Sequence, residues 1–190
     1  MEGKFKIVVI GGSAGSFPVV QKILSSITED FPFPLIFCLH RLKEFRNGFA
    51  ESLNRGSAIP VMEPLDKTII EPGVAYLSPA NYHMLIEPGY KIALSTEPDI
   101  NYSRPSLDLT FMTAGYAAGK DMIGIILSGA NSDGAEGLYS AYKNGAFTVV
   151  QNPDNANFTT MPKEVFKYFT PHKVLTDIEI SDFINSLKYE

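Results

Sequence analysis

Residues 7–16 read IVVIGGSAGS: four branched aliphatics, then a hexapeptide made only of Gly, Ser and Ala. An apolar run without alternation marks a strand buried on both faces, the condition of strands in a parallel sheet. The two glycines at its end require a sharp turn or a close approach of the backbone to another group. A helical pattern follows over residues 17–27, so the stretch reads strand, glycine turn, helix. Such a turn either cradles a phosphate or lifts the Ser13 hydroxyl as a nucleophile.

The same alternation continues on either side. Strands are expected at 5–10, 34–39, 59–62, 122–128 and 146–151, and helices at 17–27, 46–55 and 133–143. This is the order of βαβ units, and it predicts an α/β fold: a doubly wound, mainly parallel sheet with helices on both faces. The stretch 74–95 interrupts the pattern with VAYLS, HMLIE and KIALS, separated by PANY and PGY. Turns this short join antiparallel strands, so the three pieces are expected to form a small antiparallel edge. A helix is expected to begin after Ser106, which caps it with Asp108 in its first turn, and to run through LDLTFMTAGYAA. Helical patterns recur at 161–170 and 178–188, with no repeat, linker or low-complexity tract, so residues 1–190 are expected to form a single domain.

Composition narrows the function. The 190 residues are 45% hydrophobic and 19% charged, ordinary values for a chain long enough to bury a full core. A net charge of -5 offers no basic footprint for nucleic acid or an anionic membrane. The one cysteine, Cys38, leaves no internal disulfide framework, and three dispersed histidines make no zinc ligand set. No signal-type segment or membrane-length apolar run occurs, so a cytoplasmic location is expected.

Gly11-Gly12-Ser13-Ala14-Gly15 matches G-x-S-x-G between a strand and a helix, the setting of a nucleophile elbow. A dinucleotide fingerprint needs a glycine in place of Ser13 and an acid about twenty residues on. The next strand ends instead in Leu39-His40-Arg41, although Arg41 leaves a phosphate-binding reading open. Catalytic groups of a doubly wound sheet gather beyond the carboxyl ends of its strands, which makes His40 a neighbour of Ser13 and a candidate base. The stretch MIGIILSGANSDGAEGL, residues 122–138, adds a third such strand and loop. There Ser132 or Asp133 is expected to cap a helix, and Asp133 to accept from His40, leaving the other ring nitrogen facing Ser13. Cys38, inside the run FCL, reads as packing, and His83 and His172 read as structural or solvated.

Taken in order, GGSAGS, LHR, YSRPSLDLTF, ILSGANSDGAEGL and VVQNPDNANFTTMPKEV resemble the catalytic domain of the chemotaxis protein-glutamate methylesterases, the CheB family, over nearly the whole chain. The resemblance implies a serine hydrolase that demethylates glutamate methyl esters, and deamidates glutamines, on chemoreceptor signalling helices, with Ser13, His40 and Asp133 as its triad and no cofactor. It implies an oxyanion hole from the backbone N–H groups of Ala14 and Ala130, and it leaves Arg41 and Arg104 as candidate substrate contacts. The family commonly reads S-T-G-G at the elbow and T-G-M-G-x-D-G in the later loop, where this chain has Ser13-Ala14-Gly15-Ser16 and Ser128-Gly129-Ala130-Asn131-Ser132-Asp133-Gly134. Family members also carry an N-terminal receiver domain, which is expected to be absent here. A nucleotide- or anion-binding module, or a receptor-docking homologue without activity, are the competing expectations.

Overall fold

A computed structural model describes residues 7–40 and 48–187. The run that opens the fold is strand β1 (Ile7–Gly12), followed by helix α1 (Phe17–Ser26), and every residue of β1 is buried. Its side chains divide between two cores. Val8 and Ile10 pack with Ile23 and Leu24 of α1, whereas Ile7 and Val9 pack on the opposite side of the sheet. Two apolar faces leave no position for a polar residue, which is why the sequence shows no alternation.

Strands β2 (Leu35–Leu39), β3 (Val61–Met62), β4 (Ala75–Leu77), β7 (Met122–Ile126), β8 (Phe147–Gln151) and β9 (Lys173–Leu175) join β1 in a seven-stranded sheet of order β3-β4-β2-β1-β7-β8-β9. All of its pairings are parallel. From β1 the chain winds outward through β2 to one edge and then crosses back to β7 on the other side. The strand order therefore reverses between β1 and β7, the place where a doubly wound sheet opens a crevice at its carboxyl rim. Helices α1, α2 (Phe49–Asn54) and α6 (Asp177–Asn185) contribute Leu24, Leu53 and Ile184 to one core. The other core lies beneath α3 (Leu107–Ala118), α4 (Ala135–Lys143), α5 (Thr160–Val165) and a two-stranded sheet of β5 (His83–Glu87) and β6 (Lys91–Ser95).

Two expectations need correcting. VAYLS does not belong to the antiparallel set: its core forms β4, parallel to both β2 and β3. Ala75, Tyr76 and Leu77 are buried on both faces, a feature of interior parallel strands that short flanking turns disguise. Only HMLIE and KIALS pair antiparallel, and they form a separate hairpin packed on α3 through Met84, Ile86 and Ile92, not an edge of the large sheet. The second correction concerns α4, whose N-cap is Gly134 at φ +97°, with no side-chain cap from Ser132 or Asp133.

Smaller differences lie at element ends. The helix expected at 46–55 is observed as Phe49–Asn54, its predicted start falling outside the described residues, and strand β9 was not anticipated. Ser106 caps α3 as expected, accepting the Leu109 N–H at 3.4 Å. His83 is fully buried and holds that cap from the hairpin side: its Nδ1 accepts the Ser106 N–H at 3.1 Å, and Nε2 donates to the Pro98 carbonyl at 3.1 Å. His172 is structural as well, its Nδ1 accepting the Thr148 N–H at 3.1 Å.

Candidate active site

Residues following β1, β2 and β7 meet at the rim where the strand order reverses. The first contribution leaves β1. Ser13 donates its N–H to the Ser128 carbonyl at 2.9 Å, and its own carbonyl accepts from Ser16 N at 3.0 Å and Ser16 Oγ at 2.7 Å, closing a tight turn into α1. Gly15 makes the turn possible: its φ is +78°, and a Cβ there would stand 2.7 Å from Asn157 Cβ. Ser13 is partly exposed, and among the described residues its hydroxyl has no hydrogen-bond partner.

The second contribution is His40, which directly follows β2. Parallel register sets Leu39 opposite Gly12, and the His40 N–H continues the ladder to the Gly12 carbonyl at 3.0 Å. The backbones of Ser13 and His40 are thereby side by side at the ends of adjacent strands. The imidazole Nε2 lies 2.8 Å from Asp133 Oδ2. Arg41 lies outside the described residues.

The third is the loop that follows β7 and carries Asp133, whose carboxylate is completely buried. It is also well supplied with donors. Oδ2 accepts from His40 and from the Leu107 N–H at 2.7 Å, and Oδ1 accepts from Ser106 Oγ and the Asp108 N–H, each at 3.1 Å. Asp133 therefore caps α3, the helix opposite, and not the helix it precedes. Asp108 returns the arrangement: its Oδ1 accepts the Gly134 N–H at 2.9 Å and the Gly137 N–H at 2.7 Å, capping α4 from the first turn of α3. The two helix N-termini thus exchange carboxylates, each placed where the positive end of a helix dipole favours it.

This exchange separates the two acids in strength. Burial pushes the Asp133 carboxyl up, but the hydrogen bond from His40, the backbone donors at Leu107 and Asp108 and the His40 charge outweigh it, and the net direction is down. Asp108 goes the other way: burial raises its carboxyl to about 6, reinforced by the adjacent Asp133 charge and only partly offset by the Gly137 and Gly134 N–H groups. One acid stays ionised at the buried end of the histidine, and its neighbour yields the proton range near neutrality. Cys38 lies close by, but burial pushes its thiol up to about 12, so it remains protonated packing.

The backbone N–H groups of Ala14 and Ala130 take no partner among the described residues, and both residues are exposed at the mouth of the site. The loops bearing them are tied together by Ser128, whose Oγ donates to the Ala14 carbonyl at 2.8 Å and accepts the Phe158 N–H at 2.9 Å. Gln151 Oε1 in turn accepts the Ser128 N–H at 2.8 Å. Arg104 faces inward: its guanidinium donates to Thr96 and Glu97 carbonyls at 2.7 and 2.8 Å and to Asn81 Oδ1, with Asp99 at 3.5 Å. That geometry fits a clamp on the loop before α3. Among the described residues no group of three or more His, Cys, Asp or Glu side chains could hold a metal ion.

Several site residues have no counterpart in the sequence reading, Asn131 first among them. His40 Nδ1, expected to face Ser13, lies 3.2 Å from Asn131 Nδ2. The other contributors, Ser106, Asp108, Ser128 and Gln151, act through contacts between distant elements, for which only the capping pattern around Ser106 leaves a local signal.

The family model of the CheB methylesterases matches residues 8–184. The chain belongs to the CheB methylesterase family. The catalytic domain of the Thermotoga maritima CheB methylesterase, known from a crystal structure, superposes with a TM-score of 0.90 at 27% identity, covering 97% of this chain and 99% of that one. A relative in Leptospira interrogans is 34% identical over 178 residues, 94% of this chain and 92% of its own length. Protein-glutamate methylesterase/protein-glutamine glutaminase 4 of Geobacter metallireducens is 36% identical over 188 residues. The protein-glutamate methylesterase FrzG of Myxococcus xanthus is 32% identical over 171 residues. This chain spans 54% and 51% of the latter two, about half of each.

Proposed function

We propose that this chain is a serine esterase that hydrolyses glutamate γ-methyl esters, and deamidates glutamines, on the signalling helices of cytoplasmic chemoreceptor domains. Ser13 is its nucleophile, His40 its base and Asp133 the acid that orients the base. The observation that carries this reading is the 2.8 Å contact between the buried Asp133 carboxylate and His40 Nε2, at the strand end adjoining the Ser13 turn.

Asp133 holds the proton on Nε2, so Nδ1 is the basic nitrogen. Nδ1 takes the Ser13 proton as Oγ attacks the ester carbonyl, and Asp133 stabilises the imidazolium. Charge develops on the carbonyl oxygen, where the N–H groups of Ala14 and Ala130 and the N-terminus of α1 are available to receive it. Each such donor contributes ~10²–10³ in rate. The Nδ1 proton then passes to the departing methoxide, giving methanol and a glutamyl-Ser13 ester. Water deprotonated by His40 cleaves that ester to glutamate and restores the hydroxyl. With a glutamine side chain the leaving group is ammonia.

Incubation of methylated chemoreceptor with the wild type and with Ser13→Ala tests the assignment. Methanol release is expected to fall by about 10⁴- to 10⁶-fold in the variant. Equal release from both proteins overturns it. A fluorophosphonate should label Ser13 in the wild type and fail to label His40→Ala.

A further inference from the structure

The proposed chemistry needs a free lone pair on His40 Nδ1, and the structure fills that lone pair. Asn131 Nδ2 stands 3.2 Å away. An amide nitrogen donates and does not accept, so Nδ1 is the acceptor and the ring proton resides on Nε2, facing Asp133. The orientation of the Asn131 amide is fixed independently: its Oδ1 accepts the Asp133 N–H at 3.3 Å, which directs the NH₂ end toward the ring. The loop that supplies the acid at one end of the imidazole thus supplies a cap at the other. The Ser13 hydroxyl, by contrast, is unengaged among the described residues.

We infer that Asn131 is a positioning residue that caps the His40 base at rest, selecting the Nε2–H tautomer and covering Nδ1, and that an arriving glutamyl ester or amide displaces it before Ser13 gives up its proton. This rests on the triad reading above. One lone pair cannot accept the Asn131 amide and the Ser13 hydroxyl together. Once Nδ1 carries the transferred proton it is itself a donor, and two donors then face one another across the former hydrogen bond. Asn131 must have swung away or turned its oxygen to the ring, giving up the Asp133 N–H. Its bond to His40 therefore belongs to the ground state and is absent from the transition state, and an interaction of that kind slows the step it precedes.

Three variants separate this role from mere loop structure. Asn131→Gly removes the cap. Asn131→Ser also removes it but keeps a short acceptor able to close the turn onto Asp133 N–H. Asn131→Asp replaces the donor with an acceptor. With ¹⁵N-labelled histidine, the wild-type His40 spectrum should show a protonated Nε2 and an accepting Nδ1, and Asn131→Asp should show Nδ1 protonated. Fluorophosphonate labelling of Ser13 at fixed pH should be about 3- to 10-fold faster in both the Gly and Ser variants, the loss of one neutral hydrogen bond. An unchanged nitrogen spectrum in Asn131→Asp, or labelling no faster than wild type in the Gly and Ser variants, overturns the inference. Failure of the wild type to label at all defeats the triad reading instead, while the nitrogen spectra still decide whether Asn131 covers Nδ1.

Discussion

Asp108 and Asp133 are chemically identical side chains in contact with one another's helices, yet their surroundings drive them apart. Asp108, raised by burial to about 6 from an ordinary 3.8, favours the folded state most when protonated, and that contribution is lost as pH rises through 6. Asp133, shifted downward, contributes above 3.8 and loses its contribution only as pH falls below that value. Stability should therefore decline by about 1–2 kcal/mol between pH 4 and 7, allowing for solvent screening around the partly exposed Asp108. Asp108→Asn retains an oxygen for the Gly134 and Gly137 N–H groups without the second charge, and urea midpoints across this range should show the decline removed. An undiminished decline in the variant would place its origin elsewhere. Ser13 and His40 stand out in the sequence because each directly follows a buried strand, and Asp133 because it lies in the loop that leaves a third, and a parallel sheet collects such residues at one rim. It conceals the Asn131 contact with His40 and the capping of α4 by Asp108, because a side chain's hydrogen bond to a separate element leaves no trace in spacing.

Helices α3 and α4 can exchange caps only because they lie unusually close. A Cβ at Gly137 would stand 2.3 Å from the Asp108 carbonyl oxygen, and one at Gly115 would stand 2.5 Å from Ala141 Cα. Those are backbone atoms, which cannot yield as a flexible side chain does. Gly137→Ala should force the pair apart at the end that holds Asp133, losing about 1–3 kcal/mol of stability. The melting temperature should drop by about 3–10 °C, with Ser13 labelling slowed in the same variant. A variant that melts like the wild type would show that the helices can separate freely. The antiparallel hairpin was readable from its short PGY turn, but β4 was not: three buried residues fit either pairing, and only the neighbours β2 and β3 decide between them. β9 was missed for a similar reason, since its short Lys173-Val174-Leu175 run gains strand character only by pairing with β8.

Across the molecule, the rim is braced by polar contacts that run from the site to the far side of the fold. Gln151 accepts the Ser128 N–H and donates to Asn155 at 3.2 Å, Asn155 bonds Asp177, and Asp177 pairs with Lys22 of α1. Gln151→Ala strands the buried Ser128 N–H, an expected loss of about 1–3 kcal/mol. Because Ser128 tethers the Ala14 turn, the turnover of methylated receptor should fall by more than thermal destabilisation explains at a temperature where the variant is fully folded. Unchanged turnover under those conditions would confine Gln151 to stability. The alternating strands and helices announced the doubly wound architecture, but only the assembled sheet reveals that its most central strand is the first of the described strands. β1 pairs with β2 and with β7, which begins at Met122. On the ribosome, at roughly 5–20 residues per second, strand β1 waits on the order of ten seconds for its second neighbour to emerge. Throughout that interval the nascent chain carries an open apolar edge, a natural place for a chaperone to bind and for aggregation to begin.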